Sequence, residues 1–244
     1  MYKEIHNLCR VRNTGSVFSN EVGIPTPRVR WILDLLDSNG MEYELDEFTP
    51  LPDRGSVGSA YNIVLTGESD RWVTCHHDIV NPHSDNAQDN SCSIINAIAL
   101  KQLVPNINIA ILDGEEFGGI GSQYLSYRMK RGDYGVVDWI LNLELTGLGG
   151  KDFLICNSNL EGKLSNRIKE MFKCDVMRVP FNDSVIFREN GFDSLVINPL
   201  PRKDDGTLDT GPLWLCHSIK DSVDKISIED MKEFTEEVLV PIVS

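Results

Sequence analysis

The chain has 244 residues, of which 41% are hydrophobic, and this is enough for one sizeable α/β core. Its formal charge of −14 at pH 7 argues against nucleic acid or an anionic membrane as a partner, because both require a basic face. The sequence contains no apolar run of roughly 18 residues that could span a membrane, and the N-terminus lacks the apolar segment of a secretory signal. The six cysteines are scattered without a CxxC pair, which is typical of reduced thiols in a cytoplasmic protein.

The first predicted element is a helix that begins after Thr26, with Pro27 at its first position, and ends at Asn39 and Gly40. The alternating segment 42–48 predicts a half-buried strand. Short apolar runs predict buried strands near 61–66, 72–76, 107–112, 136–143 and 194–198. Helical segments are predicted near 91–103, 119–131 and 160–172, and from about 228 after a cap at Ser227. This order predicts a single domain, residues 1–244, folded as a three-layer α/β/α sandwich around a mixed, mostly parallel sheet of about eight strands.

Polar side chains follow four of the apolar runs. His76 closes RWVTCH, the pair Glu115 and Glu116 follows INIAILDG, Glu144 follows VVDWILNL, and His217 follows LWLC. In open α/β sheets, ligands bind beyond the carboxyl ends of the strands. We therefore expect four strand ends, each carrying a potential metal ligand, to meet at one edge of the sheet.

The triplet HHD at 76–78 suits a zinc site, because zinc takes imidazole nitrogen and carboxylate oxygen. Asp78 lies two residues after His76, so it can reach the ring nitrogen that does not bind metal and fix the tautomer. A single histidine at a strand end is more often an ordinary core residue. Asp89 adjoins the predicted start of the helix SCSIINAIALKQL, where a carboxylate can simply cap the helix. We prefer it to Asp85 as a ligand because the adjacent helix fixes its position.

Glu115 and Glu116 are adjacent carboxylates at the end of a buried strand, where they repel each other and lose hydration. A bound cation removes this conflict. Since neighbouring side chains diverge, one glutamate can bind metal while the other stands over a metal-bound water as a base. Glu144 and His217 are unremarkable when each is considered alone.

Taken together, these motifs resemble family 28 of the metallopeptidases, which comprises zinc aminopeptidases with relatives among glutamate carboxypeptidases and glutaminyl cyclases. The family pattern is H-x-D, then D-N or D-D, then E-E-x-G-x-x-G-S, then N-x-D-x-x-G, then a late H followed by D. The chain has these motifs in order: HHD at 76–78, DN at 89–90, EEFGGIGS at 115–122, NLELTG at 142–147 and HSIKD at 217–221. The segment NDSVIFRENGFDSLVI at 182–197 also resembles the family's S-D-x-x-x-F-x-x-x-G-I-P segment. One departure is Glu144, which stands where aspartate is usual.

The resemblance implies a zinc-dependent aminopeptidase that hydrolyses the first residue from a peptide or aminoacyl substrate. It implies two zinc ions, or one. His76 and Glu144 complete one site, Glu116 and His217 complete the other, and Asp89 bridges both. Glu115 is then the general base and Asp78 orients His76. The resemblance also predicts a cis peptide bond after Asp89.

Three other functions remain open from the sequence. A glutaminyl cyclase shares the DGEE motif, and Cys75 and Cys92 stand roughly where cyclases carry a cysteine pair, although small core residues are the more ordinary interpretation. The uninterrupted EEFGGIGS motif favours the peptidases. A carboxypeptidase or another amide hydrolase of the same fold is the second alternative. A binding module that has lost its activity is the third, but every ligand position here keeps a competent side chain.

Overall fold

An eight-stranded sheet forms the centre of the protein in a computed structural model that describes residues 1–12, 22–49, 58–156, 162–178 and 181–244. Its strands are β1 (Glu44–Phe48), β2 (Ala60–Leu65), β3 (Arg71–His76), β4 (Asn108–Leu112), β5 (Trp139–Leu143), β6 (Phe153–Cys156), β7 (Asp175–Met177) and β8 (Ser194–Pro199). Their order across the sheet is β1-β2-β4-β3-β5-β8-β6-β7.

The sheet is mixed, as predicted. The central strands β4, β3, β5 and β8 pair in parallel, and so do β6 and β7. The antiparallel pairings are β1 with β2, β2 with β4, and β6 with β8. The carboxyl ends of the four central parallel strands therefore meet at one edge, and two further strands of opposite direction extend the sheet beyond β8.

Eight α-helical segments accompany the sheet in the described part of the chain. They are α1 (Ile5–Leu8), α2 (Pro27–Ser38), α3 (Cys92–Leu103), α4 (Ile120–Lys130), α5 (Lys163–Met171), α6 (Asp183–Glu189), α7 (Ile228–Glu233) and α8 (Val240–Val243). The predicted caps are confirmed: the Thr26 hydroxyl accepts from the Val29 N–H at 3.2 Å, and the Ser227 hydroxyl accepts from the Asp230 N–H at 3.1 Å. Caps of this kind satisfy N–H groups that have no partner within the helix.

The two faces of the sheet bury alternate residues of the same strands. On one face, Val73, Ile109 and Leu141 belong to the large core that α2, α3, α5 and the C-terminal helices cover. On the other, Trp72 and Ile140 pack in a smaller cluster with residues of α4 and α6. Both faces are covered, which explains why these strands are continuous apolar runs in the sequence. The result is the predicted three-layer sandwich.

One local prediction is wrong, one alternative is excluded, and two strands were not predicted. The run LWLC before His217 is not a strand, since Gly211–Leu215 forms a 3₁₀ turn. Helix α3 begins at Cys92, and Asp89 precedes it in a non-helical conformation, so its carboxylate does not cap the helix. Strands β6 and β7 were not located from the sequence, because they contribute only four and three residues. Among the described residues, no helix is both long and apolar enough to cross a bilayer.

Candidate active site

His76 lies at the last position of β3, inside the protein and only 1% exposed. Its Nδ1 atom is 3.3 Å from Asp78 Oδ1, while Nε2 faces Asp89 Oδ1 at 3.2 Å and Glu144 Oε2 at 3.4 Å. Asp78 thus occupies the side of the ring away from the other carboxylates. It also accepts the backbone N–H of Glu115 at 3.1 Å and that of Glu116 at 3.0 Å, so one carboxylate positions both the histidine and the glutamate pair.

Asp89 stands at the centre of the cluster. One of its oxygens faces His76, and the other, Oδ2, lies 3.3 Å from His217 Nε2. The peptide bond between Asp89 and Asn90 is cis, which confirms the prediction. Asp85, the competing candidate, lies elsewhere: it pairs with Arg12 at 3.1 Å and accepts the Val223 N–H at 3.0 Å.

Glu116 and His217 form the second side of the cluster. Glu116 Oε2 is 2.8 Å from His217 Nε2, and the glutamate side chain is 5% exposed whereas the histidine side chain is 54% exposed. His217 has a positive φ of 60° and follows the 3₁₀ turn. The fourth predicted ligand position is therefore supplied by an exposed loop, not by a strand end.

Glu144 follows β5 and is held by amide side chains. Its Oε2 accepts from Asn90 Nδ2 at 2.7 Å, and its Oε1 accepts from Asn142 Nδ2 at 3.0 Å. The Asn90 amide also donates to the Leu143 carbonyl at 3.0 Å. These bonds fix the carboxylate with one oxygen directed at His76. The role of neither asparagine was predictable from its place in the sequence.

Glu115 stands beside the cluster without an ion pair of its own among the described side chains. One of its carboxylate oxygens lies within 4.8 Å of ligand atoms of both His76 and Glu116. The chain turns sharply after the glutamate pair, and Gly119 has a φ of +69°, where a β-carbon would come within 2.7 Å of Ile186. The glycine therefore permits the close turn that leads from the glutamates into α4.

The pKa values of the carboxylates and the histidine in the cluster are shifted because these groups are buried close together. Burial raises the pKa of Glu115 well above its ordinary value, and burial together with Asp89 raises the pKa of Glu116 to about 8. Burial opposes ionisation of Asp89, but its contacts with His217 and His76 hold its pKa well below the usual range. The hydrogen bond with Asp89 raises the pKa of His217 to about 9. Without a cation, the site therefore retains protons on both an acid and an imidazole at neutral pH.

Three overlapping triplets could hold a metal ion, each with ligand atoms within 4.8 Å of one another: His76, Asp89 and Glu144; Asp89, Glu116 and His217; and His76, Glu115 and Glu116. The donors are imidazole nitrogens and carboxylate oxygens, the set that zinc accepts. A cation would also relieve the repulsion that raises the pKa values of Glu115 and Glu116. The residues present therefore fit a divalent metal such as zinc.

A cleft of about 720 Å³ opens over the cluster, and we refer to it as the active-site cleft. Its walls are mainly apolar, and Phe181 and Trp214 at its wall are 40% and 83% exposed. The lining comprises His76, Asp89, Glu115, Glu116, Gly118, Glu144, Leu145, Met177, Arg178, Phe181, Asn182, Val196, Asn198, Thr210, Leu213, Trp214, Cys216 and His217. A few polar groups in an apolar concave site are typical of a small-molecule or peptide site.

Asp221 is a positioning residue that was not predicted from the sequence. Its two oxygens accept the backbone N–H groups of Gln88 at 2.8 Å and of Asp89 at 3.0 Å. The Ser84 hydroxyl donates to the Asp221 carbonyl at 2.8 Å. This clasp between residues 84–89 and the segment around 221 places the central aspartate beside the His217 loop. The aspartate of HSIKD was visible in the motif, but its spacing alone did not reveal its partner.

Asp183 is a second unassigned carboxylate near the site. It is fully buried at the start of α6, and neither of its oxygens has a hydrogen-bond partner among the described residues. The Ser122 hydroxyl beside it donates to the Gly119 carbonyl instead, at 2.9 Å. Burial raises the pKa of Asp183 to about 7. In the sequence, the motif DSVIF at 183–187 was the feature that could have indicated a role for this aspartate.

Arg28 lies in helix α2, and its position in the sequence did not predict a role at the site. It is 1% exposed, and its guanidinium donates to the His77 carbonyl at 2.7 Å and to the Ser91 hydroxyl at 2.8 Å. No carboxylate of the described residues lies within ion-pair distance. Arg28 thus joins the end of β3 to the segment after Asp89 from behind the site.

The sheet, together with the carboxylate and histidine cluster at its edge, is that of a metallopeptidase. The chain belongs to peptidase family M28, whose sequence model matches residues 63–241. This confirms the resemblance that the motifs indicated. A search of curated proteins found no match.

Solved structures with the same fold include both aminopeptidases and glutaminyl cyclases. LapA aminopeptidase from Legionella pneumophila is 13% identical with a TM-score of 0.72, over 100% of this chain and 68% of its own. The glutaminyl cyclase of Porphyromonas gingivalis is 17% identical with a TM-score of 0.71, over 99% of this chain and 95% of its own. BSAP, a zinc aminopeptidase from Bacillus subtilis, is 17% identical with a TM-score of 0.60, over 76% of this chain and 49% of its own. At these identities the likeness shows the fold.

Proposed function

We propose that this protein is a zinc-dependent aminopeptidase that removes the first residue from peptides. The observation that carries the proposal is the central position of Asp89. One of its oxygens faces His76 and the other faces His217. With Glu144 on the first side and Glu116 on the second, this gives two ligand triplets that share one carboxylate. These two triplets would hold two divalent ions.

Zinc bound at these triplets would polarise the scissile carbonyl and lower the pKa of water. The side chains of the protein supply the remaining roles. Asp78 holds His76 in one tautomer from its Nδ1 side, as a carboxylate does behind a metal-binding imidazole. Glu115, which needs no place in either shared triplet, accepts the proton of the attacking water and passes it to the leaving amine.

The charges of the cluster favour a free amino terminus. Asp89, Glu115, Glu116 and Glu144 place four carboxyl groups around the cleft, so an oxygen that is not engaged by metal can accept a hydrogen bond from an ammonium group. A substrate ammonium group can bind beside these carboxylates, and a blocked amino terminus cannot. This accounts for cleavage at the first residue and not within the chain.

Glutaminyl cyclase is the second candidate, and one observation favours it. The match covers 95% of the Porphyromonas gingivalis cyclase but only 68% of LapA, so this chain is closer to the cyclase in size. Cys75 and Cys92, which stand near the positions of a cyclase cysteine pair, are free thiols here. The intact EEFGGIGS motif and the two complete triplets favour the peptidase.

The deciding experiment combines metal analysis with a substrate panel. We expect up to two zinc ions per chain and hydrolysis of leucyl and phenylalanyl amides, but no hydrolysis of the same compounds after N-acetylation. A glutaminyl peptide should release free glutamine and not form pyroglutamate. Pyroglutamate formation without hydrolysis of any aminoacyl amide would overturn the aminopeptidase in favour of the cyclase.

We also propose that the protein works in the cytoplasm, as the cysteine pattern predicts. Five cysteines are free thiols in the structure: Cys9, Cys75, Cys92, Cys174 and Cys216. Free thiols are typical of reducing compartments. Thiol titration of the protein purified from its natural source would test this, and paired cysteines would contradict it.

A further inference from the structure

The active-site cleft extends well beyond the metal-binding cluster. From Glu144 at the end of β5 it continues over β8, where Val196 and Asn198 line it, and reaches Met177 at the end of β7. Two strands, β8 and β6, lie between β5 and β7 in the sheet. The floor of this extension is apolar, since Met177 and Leu213 pack against the cluster that contains Val196.

One cation stands in the extension. Arg178 directly follows β7, lines the cleft and is exposed. No carboxylate in the described ranges lies within 4.0 Å of its guanidinium, although the chain carries 37 acidic residues and a formal charge of −14. By contrast, other arginines of the protein, such as Arg128 and Arg202, each pair with two or more carboxylates.

A neutral donor faces the same cleft. Asn182 is 4% exposed and lines the wall. Its Oδ1 accepts both the Ser184 backbone N–H at 3.0 Å and the Ser184 hydroxyl, and this fixes which end of the amide is oxygen. The Nδ2 group is then left with two donors and no acceptor among the described residues. Arginine and amide N–H groups are both hydrogen-bond donors, and the planar guanidinium of Arg178 matches the geometry of a carboxylate.

We propose that Arg178 binds a carboxylate of the substrate, so that the preferred substrates are short peptides with a carboxylate within about four residues of the cleaved bond. This deepens the proposed aminopeptidase function and rests on it. Strands lie about 4.8 Å apart, so β7 is about 14 Å across the sheet from β5. An extended peptide covers that distance in about four residues, and fewer are needed when the arginine side chain reaches back along the cleft. The C-terminal carboxylate of a di- or tripeptide fits, and so does an acidic side chain at the second or third position.

The test uses binding of uncleavable peptide analogues, so it does not depend on turnover. Leucine-initiated di-, tri- and tetrapeptides, with the first peptide bond replaced by methylene-amine, are prepared as C-terminal acids and as carboxamides. A second tripeptide pair carries aspartate or asparagine at the second position and a carboxamide end. Dissociation constants are measured by calorimetry with the zinc-loaded wild type, Arg178→Gln, Arg178→Lys and the control Arg30→Gln, an exposed arginine of α2 outside the cleft.

We expect the wild type and Arg30→Gln to bind at least one acid roughly tenfold more tightly than its uncharged partner, the size of one charge-assisted hydrogen-bonded contact. Arg178→Gln should remove that preference while binding the uncharged analogues within about twofold of wild type, and Arg178→Lys should keep part of it. A preference confined to the C-terminal acids identifies short peptides as the source of the carboxylate, and one confined to aspartate identifies an acidic side chain. Equal binding of acid and amide by the wild type, or a preference that survives Arg178→Gln, overturns the inference. Absence of peptide hydrolysis with the binding preference intact would instead count against the aminopeptidase function alone.

Discussion

The adjacent glutamates offer the sharpest test of the site, because their neutral substitutions should fail in different ways. Glu116 Oε2 lies 2.8 Å from His217 Nε2, with Asp89 as the third member of the triplet. Glu116→Gln replaces one of three ligands. Substitution of a residue that hydrogen-bonds to a metal ligand lowers metal affinity by about 10–100-fold. Loss of the ligand itself should therefore weaken zinc binding at that site by at least about 100-fold, or about 2.7 kcal/mol.

Glu115→Gln keeps the size of the side chain and both shared triplets but removes the proton acceptor. Loss of a general base costs about 10²–10⁴-fold in turnover, which is about 2.7–5.5 kcal/mol of activation free energy. We expect zinc content equal to wild type and kcat reduced by that factor with little change in KM. The backbone N–H groups that Asp78 accepts remain in place in both variants.

The assay measures zinc per chain after dialysis against a weak chelator, together with kcat and KM for an aminoacyl amide. Glu68→Gln, at an exposed glutamate outside the cleft, serves as the matched control and should behave as wild type. Zinc loss in Glu115→Gln with full zinc in Glu116→Gln would show that the roles are reversed and that the triplet of His76, Glu115 and Glu116 is the one occupied. Full zinc and full activity in both would refute the site.

Three further predictions concern the metal and the fold. Removal of zinc by excess chelator should lower Tm by about 5–10 °C relative to protein with zinc at about 100 times its Kd, since such binding contributes about 2.7 kcal/mol; an unchanged Tm would contradict metal binding to the folded state. Zinc affinity, measured by competition, should rise steeply between pH 6 and 8 and level off above about pH 9. The pKa of Glu116 is raised to about 8 and that of His217 to about 9, so both groups must lose a proton before they bind metal. An affinity that does not change with pH would be inconsistent with these ligands. Thr26→Ala should lower the free energy of unfolding by about 1 kcal/mol in urea titration by removing the cap on Val29, and Thr26→Ser should restore most of it; equal stability of the two variants would argue against the cap.

The strands that lead to the candidate metal ligands could be predicted from the sequence, because strands buried on both faces of a sheet are continuous apolar runs. The apolar runs before His76, Glu116 and Glu144 are continuous, and each leads to the edge of the sheet where the candidate ligand lies. The short strands β6 and β7 escaped prediction because three or four residues carry too little pattern to distinguish a strand from a loop.

Long-range contacts were not predictable in the same way. His217 lies in a loop whose position depends on the contact of Asp221 with the backbone of Gln88 and Asp89, and no local periodicity records such a contact. The role of Arg28 could not be predicted because a charged residue in an amphipathic helix normally faces solvent. In the structure, Arg28 is buried against carbonyls of distant segments.

The clasp made by Asp221 has a consequence for the protein during its synthesis. Asp89 and Asp221 are separated by 132 positions, and a ribosome adds about 5–20 residues per second, so the nascent chain waits roughly 7–26 s between exposing the two. In the second half of that interval, before position 217 is reached, His76, Asp89, Glu116 and Glu144 have been made but His217 has not. The emerging polypeptide therefore carries an incomplete set of candidate ligands at that stage, and the triplet of Asp89, Glu116 and His217 is completed only after all eight strands of the sheet have been translated.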